Sequence, residues 1–119
     1  MKIPLTIFLT LIIFVANAQK VADNKQSGII IGNVLETGNS KAIADATVTI
    51  QNINDTTFVR KQLTDKNGNF EFERLPFSYF TIIISSVGFS ALKIDSIHLR
   101  EERFDFNLGD IKINRSTAM

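Results

Sequence analysis

From Ser27 onward the chain predicts an all-β fold, a sandwich of about seven strands in two sheets, and three observations carry that expectation. β-Branched and aromatic runs recur between clusters of turn residues at roughly eight- to twelve-residue spacing, as in sandwiches and barrels. Within several runs apolar and polar residues alternate with a period of two, so one face of each strand packs and the other is wet. No segment sustains a helical period. The 119 residues include ten Phe and no Cys, so packing alone must hold the fold, at about 25 cal/mol per Å² of apolar surface buried.

The elements follow in order. Lys2 precedes an apolar run from Ile3 to Val15 that closes with Ala16-Asn17-Ala18, a small-x-small site after a short apolar core. That pattern predicts a cleavable signal peptide over 1–18. A membrane span needs about 20 apolar residues, and Pro4, Thr6, Thr10 and Asn17 interrupt this run. Position 19 is Gln rather than the cysteine of a lipid-modified leader. Residues 19–26 (QKVADNKQ) are polar and aperiodic and read as a flexible lead, with the domain over 27–113 and a tail over 114–119.

"GIIIGNVL" (28–35) is the first strand and "ETGNSK" (36–41) its turn. In "DATVTIQNI" (45–53), Ala46, Val48 and Ile50 share one face and Thr47, Thr49 and Gln51 the other. "TTFVRKQLT" (56–64) supplies a third strand, and Asp65-Lys66-Asn67-Gly68 has the composition of a tight hairpin connection in which Gly accepts positive φ. Beyond it Phe70 and Phe72 should face inward and Glu71 and Glu73 outward, until Leu75-Pro76 ends the strand. "YFTIIISSVGF" (79–89) reads as a central strand, with Gly88 at a bulge or bend. "LKIDSIHL" (92–99) alternates with Leu92 and Ile94 on one side, followed either by Ser96 or by a register shift. "RFDFNL" (103–108) and "DIKI" (110–113) are the closing strands.

Charge excludes one class of partner. Cleavage after Ala18 would remove a single lysine and leave twelve basic against twelve acidic residues, alternating in sign along about 101 residues. A nucleic-acid binder would show a basic stripe, so no nucleic-acid partner is expected.

The residues that invite a catalytic reading fail on geometry. Asp95, Ser96 and His98 name the members of a hydrolase triad, but on a regular strand Ser96 and His98 share a face while Asp95 points away, whereas a triad lines up carboxylate, imidazole and serine. His98 is the single histidine, so no multi-histidine metal site is expected. Asp65, Asn67 and Asn69 resemble the start of a calcium loop, yet glycine is fourth and Pro76 twelfth where an EF-hand has glycine sixth and a bidentate Glu twelfth. An Asp capping backbone N–H groups in a turn is the simpler expectation. Glu71 with Glu73, or Glu101 with Glu102, lacks the apolar site that would raise one carboxyl's pKa for glycoside hydrolysis. No phosphate-cradling glycine loop occurs. Catalytic, cofactor-binding and metal residues are therefore expected to be none, with no cofactor. Phe77, Tyr79 and Phe89 form the alternative, an aromatic platform for sugar or peptide. "NDT" (54–56) and "NRS" (114–116) match glycosylation sequons.

Four pieces, "GNV" (32–34), "KAIADATVTI" (41–50), "LTDKNGNFEFERLP" (63–76) and "SSVGF" (85–89), in that order resemble the carboxypeptidase-regulatory-like domain. The resemblance covers about residues 27–108 and is most specific at 64–72. It departs from the family pattern in lacking a proline in "KAIADA", in Ser78 where a glycine is usual, and in Phe80 and Phe89 where tyrosines are. The resemblance implies a transthyretin-like (Ig-like) β-sandwich without catalytic residues of its own. Such a domain commonly sits behind the signal peptide of TonB-dependent receptors, large outer-membrane proteins.

The resulting expectation is an exported, non-enzymatic module, periplasmic or associated with the outer membrane, that acts through protein contacts in the cell envelope. Membrane association would come only through a region encoded after Met119, the given chain being then a fragment of a larger receptor. The alternative is a stand-alone carbohydrate- or peptide-binding domain of the envelope. A transthyretin-like hydrolase would need several histidines and basic residues around a cleft.

Overall fold

A computed structural model describes residues 27–116, and the leader and lead expected over 1–26 lie outside the described residues. The chain forms β1 (Gly28–Glu36), β2 (Thr47–Asn52), β3 (Val59–Leu63), β4 (Asn69–Leu75), β5 (Tyr79–Ser85), β6 (Leu92–His98) and β7 (Asp105–Ile113). Seven strands in two sheets, ordered β4-β1-β7 and β3-β2-β5-β6, make the expected β-sandwich. β1 and β7, the first and last strands, pair in parallel, and the other ladders are antiparallel.

The core forms between the sheets because alternation holds strand by strand. Val48 and Ile50 of β2 and Phe80, Ile82 and Ile84 of β5 are fully buried, and each such side chain contributes about 1.5–3 kcal/mol by leaving water. Phe70 and Phe72 are buried and Glu71 and Glu73 exposed, as the alternation requires. β5 sits between β2 and β6, so its near-continuous apolar run belongs to an interior strand. It stops at Ser85, and Gly88, with φ +88°, bends the chain in the turn that follows.

Three ladders carry one extra residue each, always on one strand of the pair. Between Phe72 and Leu75, β4 uses one residue more than β1 does between Gly28 and Ile30, and Arg74 takes φ +55°. Between Ile94 and Ile97, β6 does the same against β5, with Ser96 at φ +61°. Between Asn107 and Asp110, β7 does so against β1, with Gly109 at φ +69°. A β-bulge of this kind resets the alternation. Each returns the next apolar residue, Leu75, Ile97 or Ile111, to the core. The two closing strands expected over 103–108 and 110–113 are thus one strand with a bulge at Gly109.

Two further expectations change. The third strand is shorter than 56–64, because Thr56 and Thr57 belong to a turn in which Asp55 Oδ1 accepts from the Thr57 hydroxyl at 2.6 Å. Residues 65–68 do not close a two-residue hairpin, since β3 and β4 are edge strands of different sheets. The turn carries the chain across the sandwich. It still needs the residues that suggested a turn: Asp65 Oδ1 accepts N–H bonds from Asn67 and Asn69, both at 2.9 Å, and Gly68 has φ +81°.

Thr64 anchors this crossing. Its buried hydroxyl donates to the Ile43 carbonyl at 2.6 Å and accepts from the Ala46 N–H at 2.9 Å. Thr64→Val keeps the shape but orphans both groups, and should cost about 3 kcal/mol in denaturant unfolding. Thr64→Ser should keep most of it. Equal stability of the two variants would show that the hydroxyl carries no weight.

Past β7, Arg115 ties the chain's end to β1. Its guanidinium donates to both Glu36 carboxylate oxygens, at 2.6 and 3.3 Å, and lies 4.9 Å from the Phe89 ring centroid. The hydrogen bond from Arg115 holds the Glu36 carboxyl below its ordinary range. A depressed carboxyl pKa stabilises the fold above the unfolded value, and that contribution is lost as pH falls through the folded value. Glu36→Gln should therefore lower Tm at neutral pH, and the gap from the parent chain should close under acid; a gap constant with pH would refute the linkage.

Candidate functional site

A broad cleft of about 990 Å³ lies on the outer face of the three-stranded sheet. Alternation and register build it. In β1 the residues Gly28, Ile30, Gly32 and Val34 face the core, which leaves Ile31, Asn33 and Leu35 outward. Gly32 is there to make room, since a Cβ would lie 2.6 Å from Phe70 Cζ. Opposite Ile31 stand Glu71 of β4 and Asn107 of β7; opposite Asn33 stand Asn69 and Asp110. Gln62 and Leu63 of β3, Asp65 and Asn67 of the turn, and Ser40 and Ala42 of the β1–β2 loop wall one side.

Hydrogen bonds hold the walls in place. Asn33 Nδ2 donates to the Asn67 carbonyl at 3.0 Å and to Asn69 Oδ1 at 2.6 Å. Gln62 Oε1 accepts the Glu71 N–H at 2.7 Å, and Arg60 Nη2 donates to the Glu73 carbonyl at 2.6 Å. The last two bonds close the gap between the β3 and β4 edges with side chains, which protects both from pairing with foreign strands. The lining holds three carboxylates, Asp65, Glu71 and Asp110, several amides and an aliphatic floor, with no Lys, Arg or His. Chemically such a surface accepts hydrogen bonds and attracts cations.

The triad residues fare differently from the regular-strand expectation. The bulge leaves Ser96 exposed at positive φ, Ile97 turns into the core, and His98 pairs with Tyr79 of β5. Because of the extra residue at Ser96, the faces expected for Asp95, Ser96 and His98 do not hold. Asp95 Oδ1 accepts from Thr81 Oγ1 at 3.0 Å, and the His98 ring stacks on Tyr79 with centroids 3.9 Å apart and planes 10° off parallel. Among the described residues no hydrogen bond joins the three. Asp65, Asn67 and Asn69 come together as a capped turn, with Asp65 Oδ1 occupied by backbone donors. Glu101 and Glu102 lie in an exposed turn between Arg100 and Arg103.

The aromatic platform does not assemble. Phe77 and Phe89 pack partly against the core, one before β5 and the other beyond its far end, so a seven-residue strand separates them. Tyr79 is exposed, but its ring is taken by His98. That stack has no signal in the sequence, where only the β5–β6 register, bulge included, could have aligned positions 79 and 98. The cleft was missed for a similar reason, because it needs β1, β4 and β7 side by side.

A family model described as the carboxypeptidase regulatory-like domain matches residues 29–109. No curated protein matches the chain. Among solved structures, BcpA, the major pilin subunit of Bacillus cereus, is similar with a TM-score of 0.63 at 18% identity, over 76% of this chain and 31% of that one. Catechol 1,2-dioxygenase from Pseudomonas arvilla C-1 gives 0.60 at 15% identity, over 82% and 55%. 3-Chlorocatechol 1,2-dioxygenase from Rhodococcus opacus 1CP gives 0.59 at 13% identity, over 76% and 60%. The matched region is 60% or less of each of these larger chains, and at such identities the likeness is one of fold.

Proposed function

The chain belongs to the carboxypeptidase regulatory-like domain family, and on that premise we propose that it is a non-catalytic, exported module of the cell envelope that works through protein contacts. The observation that carries the reading is where its polar chemistry goes. Thr64, Asp65, Gln62 and Arg60 are committed to backbone groups, and His98 is stacked on Tyr79. A fixed, side-chain-braced face on the three-stranded sheet is what remains open for another molecule.

In its fuller form, the leader over 1–18 directs export and the module stands at the periplasmic side of an outer-membrane transport protein of the TonB-dependent receptor type. The pilin likeness shows that this sandwich architecture also occurs in a pilus subunit, which is compatible with that setting. The test is site-specific photo-crosslinking in the native host. A photoreactive residue at Ile31 should yield envelope-protein adducts, while one at Glu102, on an exposed turn outside the cleft lining, should yield few. Equal yields at both positions, or retention of the chain in the cytoplasm, would contradict the proposal.

A further inference from the structure

We infer that the outer face of the three-stranded sheet receives a short basic segment of a partner protein, laid in extended form across Ile31 and Leu35. The inference rests on the contact-module reading above and names the chemistry of the partner.

Among the described residues the face is open and partly apolar: Ile31 and Leu35 form its floor, and Leu63 on the wall is 57% exposed. Covering these side chains would drive association. Charge then selects the occupant. Asp65, Glu71 and Asp110 line the cleft with no cation among the lining residues, in a chain that as a whole carries 13 basic and 12 acidic residues. Lys66 adjoins the turn on the wall, and Lys112, opposite Leu35, stands on the same outer face at the end of the cleft without lining it. A concave surface of one sign concentrates ligands of the other and rejects like charge. The stems of Lys or Arg would lie on the aliphatic floor and their heads would reach the carboxylates. From Ile31 to Leu35 the floor runs about 13 Å, the reach of four or five extended residues. Asn69 and Asn107 stand on the strands to either side of β1; their Oδ1 atoms accept from Asn33 Nδ2 and the Gly109 N–H, which leaves their amide N–H groups to donate to the main-chain carbonyls of an extended guest.

The test titrates the purified chain into a fluorescein-labelled octapeptide alternating Lys with Val, and into the same peptide with Glu for Lys, followed by anisotropy at low and high salt. The lysine peptide should bind, at least tenfold more weakly at high salt, and the glutamate peptide should not. Glu71→Lys combined with Asp110→Lys, both exposed positions, should reduce binding at least tenfold with Tm retained, and Leu63→Ser should reduce it severalfold. A lysine peptide that fails to bind, or that binds the charge-reversed variant equally well, overturns the inference. So does maltoheptaose shifting the Ile31 and Leu35 amide resonances when the peptide does not, which would assign the face to a sugar. If adducts from Ile31 persist in cells while the lysine peptide fails, the contact module stands and the basic partner falls; loss of both removes both.

Discussion

Gly68→Val should be the most damaging single change in the turns of this domain, costing more than about 3 kcal/mol and leaving a chain that unfolds at much lower denaturant. Two effects combine. A φ of +81° is costly for any side chain with a Cβ and worst for a β-branched one, at about 1–3 kcal/mol. In addition, a Cβ there would lie 2.5 Å from the Val34 carbonyl oxygen, which is backbone and has nowhere to go. The same segment supplies bonds that join the sheets' loops: the Val34 N–H donates to the Gly68 carbonyl at 2.8 Å, and the Val34 carbonyl accepts from Ile43 at 3.0 Å. Gly88 separates the two effects. It has φ +88° but nothing within 4 Å of where a Cβ would sit, so Gly88→Ala bears the conformational cost alone, about 1 kcal/mol. Gly68→Ala should lose clearly more than Gly88→Ala; equal losses would show that close approach to Val34 does not matter.

The glycine was legible because positive φ leaves a local trace in composition, and the same holds for the capping Asp65. The three bulges were legible too, although only one was suspected. Apolar spacing in a regular strand is two, yet Phe72 to Leu75, Ile94 to Ile97 and Leu108 to Ile111 are each three apart. A spacing of three inside a strand is a bulge written in sequence, because the extra residue must be absorbed before the next apolar side chain faces inward. Taking Gly109 as a break rather than a bulge split β7 in two. What sequence could not show is what depends on strands far apart in the chain. The parallel pairing of β1 with β7 puts Asn107 and Asp110 beside Ile31 and Asn33. Arg60 and Gln62 look like the polar side of an edge strand, and only the sandwich shows them bonded to the Glu73 carbonyl and Glu71 N–H.

Phe80→Ala should cost about 4 kcal/mol, a large share of the roughly 5–15 kcal/mol that holds a domain of this size. Phe80 is fully buried on β5, pairs with Asn52 of β2 and Ile97 of β6, and meets Phe58 edge to face with ring centroids 5.9 Å apart. Phe58 lies just before β3, so this contact ties the edge of the four-stranded sheet to its interior. Truncating Phe80 would therefore remove core area and loosen the Phe58 ring, over which the Arg60 guanidinium lies at 5.5 Å. Arg60 in turn donates to the Glu73 carbonyl across the sheet edges. A double-mutant cycle of Phe80→Leu and Phe58→Leu, read by denaturant unfolding, should give a coupling of about 1 kcal/mol. Hydrogen exchange should then show the Glu71 and Glu73 region opening in the Phe80 variants before the β1–β7 ladder does. If that region stays as protected as in the parent chain, the ring contact is only filler, and the bracing of the cleft wall does not pass through the core.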